Sequence, residues 1–183
     1  MLSPLRMRKL TRFFNVLDGN VNGYVEAFDF SRFVSVLSQI RGRQESSPER
    51  KALQGAADEV WKQVCKSADK SNDARVTLQE WLSWNDEIAK PRPTTGEHPY
   101  AQLSGRIFDA LDADRNGAIT AREYRDFLRA FGVGRDVDVD SVFAALDANR
   151  DGNVTSAEAV QRFAEFWSSE DQNAVGNRIF GPF

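Results

Sequence analysis

A 12-residue, Asp-rich stretch recurs four times in this chain, each time entered by one helical apolar pattern and left by another. The copies begin at Asp18 (DGNVNGYVEAFD), Asp69 (DKSNDARVTLQE), Asp112 (DADRNGAITARE) and Asp147 (DANRDGNVTSAE). Such self-similarity limits the fold more than any single segment, because each unit carries an apolar helix face that its neighbours must cover. The flanks repeat as well. Four residues and one residue before each stretch stand Phe14 and Leu17, Cys65 and Ala68, Phe108 and Leu111, and Phe143 and Leu146, which is one face of a helix. Beyond the first three stretches, Phe30 and Phe33, Trp81 and Trp84, and Tyr124 and Phe127 continue the pattern; the fourth departs, with Ala159 and a shifted Phe163. These aromatics read as core.

Within each stretch, oxygen-bearing side chains occupy positions 1, 3, 5 and 9, a small residue position 6, an aliphatic position 8 and a carboxylate position 12. The pattern resembles the EF-hand loop. A hard cation such as Ca²⁺ wants six to eight oxygens at about 2.3–2.6 Å, and a tightly curled loop supplies them from alternate side chains and one backbone carbonyl. Loop 3 offers Asp112, Asp114, Asn116, the Ala118 carbonyl, Thr120 and Glu123, and loop 4 offers Asp147, Asn149, Asp151, the Asn153 carbonyl, Thr155 and Glu158. Loop 1 offers Asp18, Asn20, Asn22, the Tyr24 carbonyl, Glu26 and Asp29. Asp29 is one methylene shorter than the usual Glu, which biases that loop toward the smaller, octahedral Mg²⁺. Loop 2 offers Asp69, Ser71, Asp73, the Arg75 carbonyl, Thr77 and Glu80, but has Ala74 where Gly is wanted. A positive φ there costs about 1 kcal/mol, so loop 2 is either a binding loop or a retained, empty hand.

The aliphatics Val25, Val76, Ile119 and Val154 at position 8 predict a short two-stranded ribbon within each couple of loops, 1 with 2 and 3 with 4. The first couple is stretched by the segment from Ile40 to Gln54, in which Ser47, Pro48 and Glu49 read as an N-cap, a first-turn proline and an early acid. A long helix from Pro48 to Ala68 follows. PRPTTG, residues 91–96, breaks the helix leaving loop 2. The expected fold is therefore all-α: four helix-loop-helix units in two paired lobes, 1–90 and 97–167, forming one compact globule around a linker, 91–96. Residues 168–183 keep Val175, Ile179, Phe180 and Phe183, which would be an exposed apolar patch unless that tail packs on the core.

Composition excludes several classes. With 24 bases against 27 acids there is no basic excess for phosphate backbones, so no nucleic acid is expected. One cysteine, Cys65, forbids an internal disulfide and fits a reducing compartment; on the inner face of its helix it reads as a small core residue. No apolar run approaches the roughly 20 residues that cross a bilayer, and Met1-Leu2-Ser3 shows neither a signal stretch nor a myristoylation glycine. A soluble, monomeric, cytoplasmic protein without stable membrane insertion is predicted. No catalytic triad or nucleotide-binding glycine pattern is present, and His98 is the one histidine, so no enzyme is expected. Sensors of this class open a Met-rich groove for partners; here Met1 and Met7 are the only methionines, and the apolar faces are Phe- and Trp-rich.

The whole arrangement resembles the invertebrate sarcoplasmic calcium-binding proteins and their relative calexcitin. The carriers are the stretched first couple, Asp29 closing loop 1, the run VWKQVCKSADKSNDARVTLQEWLSW from Val60 to Trp84 with its non-Gly sixth position, and the tail GNRIFGPF. The resemblance implies a compact four-hand protein with buried aromatics that binds Ca²⁺ and Mg²⁺ as a cytosolic buffer. One alternative is a calexcitin-like sensor whose N-terminal MLSPLRMRKLTRFF sets Arg6, Arg8, Lys9 and Arg12 beside apolar residues and touches anionic lipid. Another is a coelenterazine-binding-type carrier of a small apolar ligand. Twelve of the 27 acids lie at ligand positions, leaving 15 against 24 bases, so the acid clusters repel one another until a cation arrives. Millimolar Ca²⁺ is therefore expected to raise the melting temperature strongly, and an unchanged thermogram would count against that coupling.

Overall fold

Local chemistry starts the helices where the sequence places them. The structure, a computed structural model, describes residues 1–88, 99–133 and 137–181, and side chains in the second stretch from residue 104. Ser3 accepts the Arg6 amide at 3.2 Å and Pro4 opens α1, Pro4–Leu17; Ser47 and Pro48 do the same for α3, Pro48–Ala68. Between and beyond them lie β1 (Tyr24–Val25), α2 (Ala27–Ile40), β2 (Val76–Thr77) and α4 (Leu78–Ile88). The second half repeats the order with α5 (Pro99–Leu111), β3 (Ala118–Thr120), α6 (Ala121–Ala130), α7 (Val139–Leu146), β4 (Asn153–Thr155) and α8 (Ser156–Ser168). The strands form two antiparallel ribbons, Val25 opposite Val76 and Ile119 opposite Val154, the expected pairing. The PRPTTG segment and His98 lie outside the described residues, as do Pro182 and Phe183.

The interior is aromatic and joins both halves. Phe13 of α1 meets Trp81 of α4 at 5.9 Å, Trp167 of α8 at 5.2 Å and Phe180 of the tail at 4.4 Å between ring centroids. Phe33 of α2 stacks on Phe131 at 4.1 Å and meets Phe127 of α6 edge-on at 5.4 Å. Rings in such offset and edge-on arrangements add to the stabilisation from area burial. Two buried indole donors are satisfied: Trp81 Nε1 donates to the Leu10 carbonyl at 3.0 Å and Trp167 Nε1 to Ser104 Oγ at 3.1 Å. Arg41, just past α2, reaches across the seam and donates to the Ala110 and Leu111 carbonyls at 3.2 and 3.1 Å, capping the C-terminal end of α5.

After α8 the chain turns back through a 3₁₀ segment, Val175–Arg178, and buries Ile179 and Phe180. Basic residues of α1 hold this return. Of the Arg6, Arg8, Lys9 and Arg12 group, which the sensor alternative sets against lipid, Lys9 is buried, Arg6 and Arg12 are half-buried and Arg8 is exposed. Arg6 Nε donates to the Trp167 carbonyl at 3.1 Å and Arg12 Nε to the Phe180 carbonyl at 3.2 Å. Lys9 is fully buried; its ammonium donates to the Glu165 and Ser169 carbonyls and to Asn177 Oδ1 at 3.2, 2.9 and 2.9 Å. The last carbonyls of a helix lack intrahelical partners and carry partial negative charge, so α8 draws the cations in. Burial pushes Lys9 from the ordinary 10.5 down to about 8, with Arg6 adding to it. Its contribution to stability therefore grows as pH climbs from about 8 to 10.5, where the unfolded chain still holds the proton and the folded one has shed it.

The return needs a glycine at 176. A Cβ there would stand 2.2 Å from the Arg162 carbonyl oxygen and 2.7 Å from Glu165 Cβ. Gly176→Ala should lift the tail, destabilise the fold by about 1–3 kcal/mol and raise binding of an apolar dye; wild-type melting with no extra dye binding would contradict this packing.

Candidate metal centres

Each loop is built by one set of backbone contacts. The position-1 aspartates Asp18, Asp69, Asp112 and Asp147 are buried, and one oxygen of each accepts the position-6 amide: Gly23 at 2.9, Ala74 at 3.0, Gly117 at 2.9 and Gly152 at 2.8 Å. The other accepts an amide one or two residues earlier, from Asn22, Asn72, Asn116 or Asp151. Position 5 accepts the position-7 amide, Tyr24, Arg75, Ala118 or Asn153, at 2.9–3.0 Å. At position 3, Asn20, Asp114 and Asn149 accept from position 5, while Ser71 Oγ donates to Asp69 at 3.2 Å.

The position-12 carboxylate closes the ring. One oxygen accepts the position-2 amide: Asp29 from Gly19 at 3.1, Glu80 from Lys70 at 3.1, Glu123 from Ala113 at 2.7 and Glu158 from Ala148 at 3.2 Å. The second accepts the position-9 amide, from Glu26, Thr77, Thr120 or Thr155, at 2.9–3.0 Å. In loops 2 to 4 the threonine hydroxyl also donates to that carboxylate at 2.8 Å. Thr120 and Thr155 are at once loop positions and N-caps of α6 and α8, in capping boxes with Glu123 and Glu158.

Electrostatics separates the loops. The amide donated by Thr77, with further bonds from the threonine hydroxyl and Ser71, holds Glu80 below the usual carboxylate range, and the Thr155 amide and hydroxyl do the same for Glu158. Asp29 moves the other way: burial raises it, and the Asp18 charge adds to that against the bonds from Glu26 and Gly19. The shorter arm makes the same two bonds only by sinking into the protein, where Asp29 is 4% exposed. At Asp69 burial acts to raise the pKa, but bonds from Cys65, Ala74, Asn72 and Ser71 outweigh it and leave the group low. Cys65 is thus not the core residue expected. It is half-buried, and its Sγ lies 3.4 Å from Asp69 Oδ2, because the last turn of α3 points it at the loop mouth.

The donors are oxygens throughout, which suits a hard divalent cation rather than a thiophilic one. Among the described residues, Asp112, Asp114 and Glu123 converge so closely that their carboxylate oxygens lie within 4.8 Å of one another.

Strain falls at position 6 and also at position 4, where residue spacing gives no sign of it. Position 4 is left-handed in all four loops, at φ 58° for Val21, 57° for Asn72, 59° for Arg115 and 60° for Arg150, and Ala74 at position 6 has φ 60°. Asparagine tolerates this conformation; β-branched Val21, 86% exposed, does not. The signal was a valine aligned with an asparagine at position 4 of loop 2. Val21→Asn and Ala74→Gly should each stabilise the protein by about 1 kcal/mol, read as a rise in melting temperature; a fall in both would show that these angles are not strained.

Comparison with known proteins follows the same lines. The family described as EF hand matches residues 106–128 and 139–158, which contain loops 3 and 4. A sarcoplasmic calcium-binding protein of Scylla paramamosain is 24% identical, covering 97% of this chain and 94% of its own. A solved sarcoplasmic calcium-binding protein from amphioxus superposes with a TM-score of 0.77 over 100% of both chains at 17% identity. A Streptomyces coelicolor calcium-binding protein, solved in a study of prokaryotic calcium-mediated regulation, gives a TM-score of 0.71 at 28% identity, covering 91% of this chain and 99% of that one.

Proposed function

We propose, taking as premise that this chain belongs to the sarcoplasmic calcium-binding protein family of EF-hand proteins, that it takes up Ca²⁺ as a buffer through its four loops. The observation that carries the reading is the convergence of Asp112, Asp114 and Glu123 on one point within a ring already closed by backbone bonds. In loop 3 the cation would be held by Asp112, Asp114, Asn116, the Ala118 carbonyl, Thr120 and Glu123, and the corresponding residues would hold it in loops 1, 2 and 4. A divalent ion supplies the positive charge that relieves repulsion among these acids. The chain's part is to hold the oxygens in place beforehand and to anchor the following helix on the same carboxylate.

A buffer role is favoured over a sensor role by the packed interior, and the same proposal takes the protein as a cytoplasmic monomer. The tail packs into the aromatic interior, with Phe180 against Phe13 and Phe166 at 4.4 and 4.9 Å. Arg6, Lys9 and Arg12, which a lipid-touching helix would need free, are bonded to α8 and the tail. No described helix is long and apolar enough to cross a membrane. An apolar ligand is disfavoured by what the hollows offer: the apolar cavity lined by Phe13, Phe30, Phe33, Trp81 and Phe127 among others measures about 70 Å³, against the roughly 150 Å³ that accommodates benzene in an engineered protein, and the larger hollow, about 630 Å³, is lined by Arg41, Arg43, Glu49 and Asp112 among others. The curated relatives found are named as sarcoplasmic calcium-binding proteins, and the loop carboxylates serve as ligands in this reading rather than as acids or bases.

Calorimetric titration with Ca²⁺, with and without Mg²⁺, tests the proposal. Loops 3 and 4 should bind with dissociation constants of about 10⁻⁹ to 10⁻⁸ M, as in buffer hands. Loop 1 should be the step most weakened by Mg²⁺. Glu123→Gln and Glu158→Gln should each remove one strong step; an isotherm unaltered by either would take that residue off the site.

A further inference from the structure

The β1–β2 ribbon brings a cation from one loop onto an acid of the other. Its register pairs Tyr24 with Thr77 and Val25 with Val76, so the next step sets Glu26, position 9 of loop 1, opposite Arg75, position 7 of loop 2. Arg75 Nε lies 3.6 Å from Glu26 Oε2, and the guanidinium carbon is 5.2 Å from the Tyr24 ring centroid. The other Glu26 oxygen accepts Asn22 Nδ2 at 2.8 Å. The two oxygens of this carboxylate are thus divided between an amide of its own loop and a guanidinium of the next. In the second ribbon the equivalent pair is Thr120 opposite Asn153, both uncharged. An acid at position 9 and a base facing it occur together in the first half and are both missing from the second.

We infer that Arg75 is a specificity-determining residue for loop 1, holding down its affinity for Ca²⁺ by competing for Glu26. The inference rests on loops 1 and 2 being cation sites, as proposed above. Arg75 then serves both: its backbone carbonyl is offered to loop 2, and its side chain engages a ligand of loop 1. The pair is partly exposed, with side-chain accessibilities of 53% and 23%, so as a surface ion pair it adds little to folding stability. Its effect on a dication is larger. A guanidinium beside a ligand oxygen repels an incoming double charge and competes with it for that oxygen, an effect of roughly three- to tenfold in affinity after solvent screening. Ca²⁺ takes more oxygens than Mg²⁺, which keeps part of its water shell. The loss of Glu26 Oε2 therefore falls mainly on Ca²⁺, adding to the bias from the short Asp29.

The test is calorimetric titration of the full chain carrying Arg75→Met, which keeps the stem and the carbonyl, and Arg75→Lys, which keeps the charge. The loop 1 step is identified in each as the one that Asp29→Asn removes. Arg75→Met should strengthen that step for Ca²⁺ by about three- to tenfold, with a smaller change for Mg²⁺, and leave the loop 3 and 4 constants as they are; the gain should shrink in high salt. Arg75→Lys should stay near wild type. Loop 1 constants that are equal or weaker in Arg75→Met overturn the inference. A wild-type chain with no loop 1 step, gaining one in Arg75→Met, supports it, and silence of loop 1 in both overturns it. Absence of uptake by all four loops in every variant overturns the buffer reading itself.

Discussion

The carboxylate at position 12 bears on everything else in this fold. With one oxygen on the second amide of its loop and the other on the ninth, it binds the two ends of the ring together. In loops 3 and 4 it is also the third residue of the next helix and completes that helix's capping box. Ring closure and helix initiation are therefore one event, and the direction in which each exiting helix leaves is tied to the geometry of its ring. The exiting helices carry Phe30, Phe33, Trp81, Trp84, Tyr124 and Phe127, all buried. The aromatic interior is placed by the rings as much as the rings are held by the interior.

That interior accounts for the closed character of the molecule. Phe13 has partners on α4, α8 and the tail. The seam between halves is fastened at a second point, where Arg41 caps α5 and Arg43 donates to the Ala113 carbonyl, the second residue of loop 3, at 3.0 Å. Separating the halves would expose stacked rings and orphan these carbonyls together, a combined cost from lost burial and unmet hydrogen bonds.

Patterns governed by local spacing were legible in the sequence. The placing of the four loops, the ribbon pairing of Val25 with Val76, and the limits of α3 at Pro48 and Ala68 follow from a 12-residue period, one apolar position and one Ser-Pro signal. Features set by distant neighbours were not. Nothing around Lys9 shows that the end of α8 lies above it, so a buried ammonium reads as a surface charge. Cys65 has the helical phase of a core residue, but phase is silent on how near the loop mouth the last turn comes. Arg41 sits in a segment with no motif, and its carbonyl partners belong to the other half of the molecule. The left-handed angle at Val21 is hidden for another reason: position 6 is marked by glycine in three loops, whereas position 4 holds Val, Asn and Arg and looks unconstrained.

The interlock between α1 and the returning segment also dictates an order of assembly. Phe13 is made well before its ring partners Phe166, Trp167 and Phe180, with both ribbons lying between them in the chain. Until α8 and the returning tail have been made, Phe13 lacks its partners Phe166, Trp167 and Phe180, and Arg6, Lys9 and Arg12 lack the carbonyls they bond. Translation thus delivers the first helix long before the surface that completes it, and the nascent protein must keep that sticky face unclaimed while the second half is still being written.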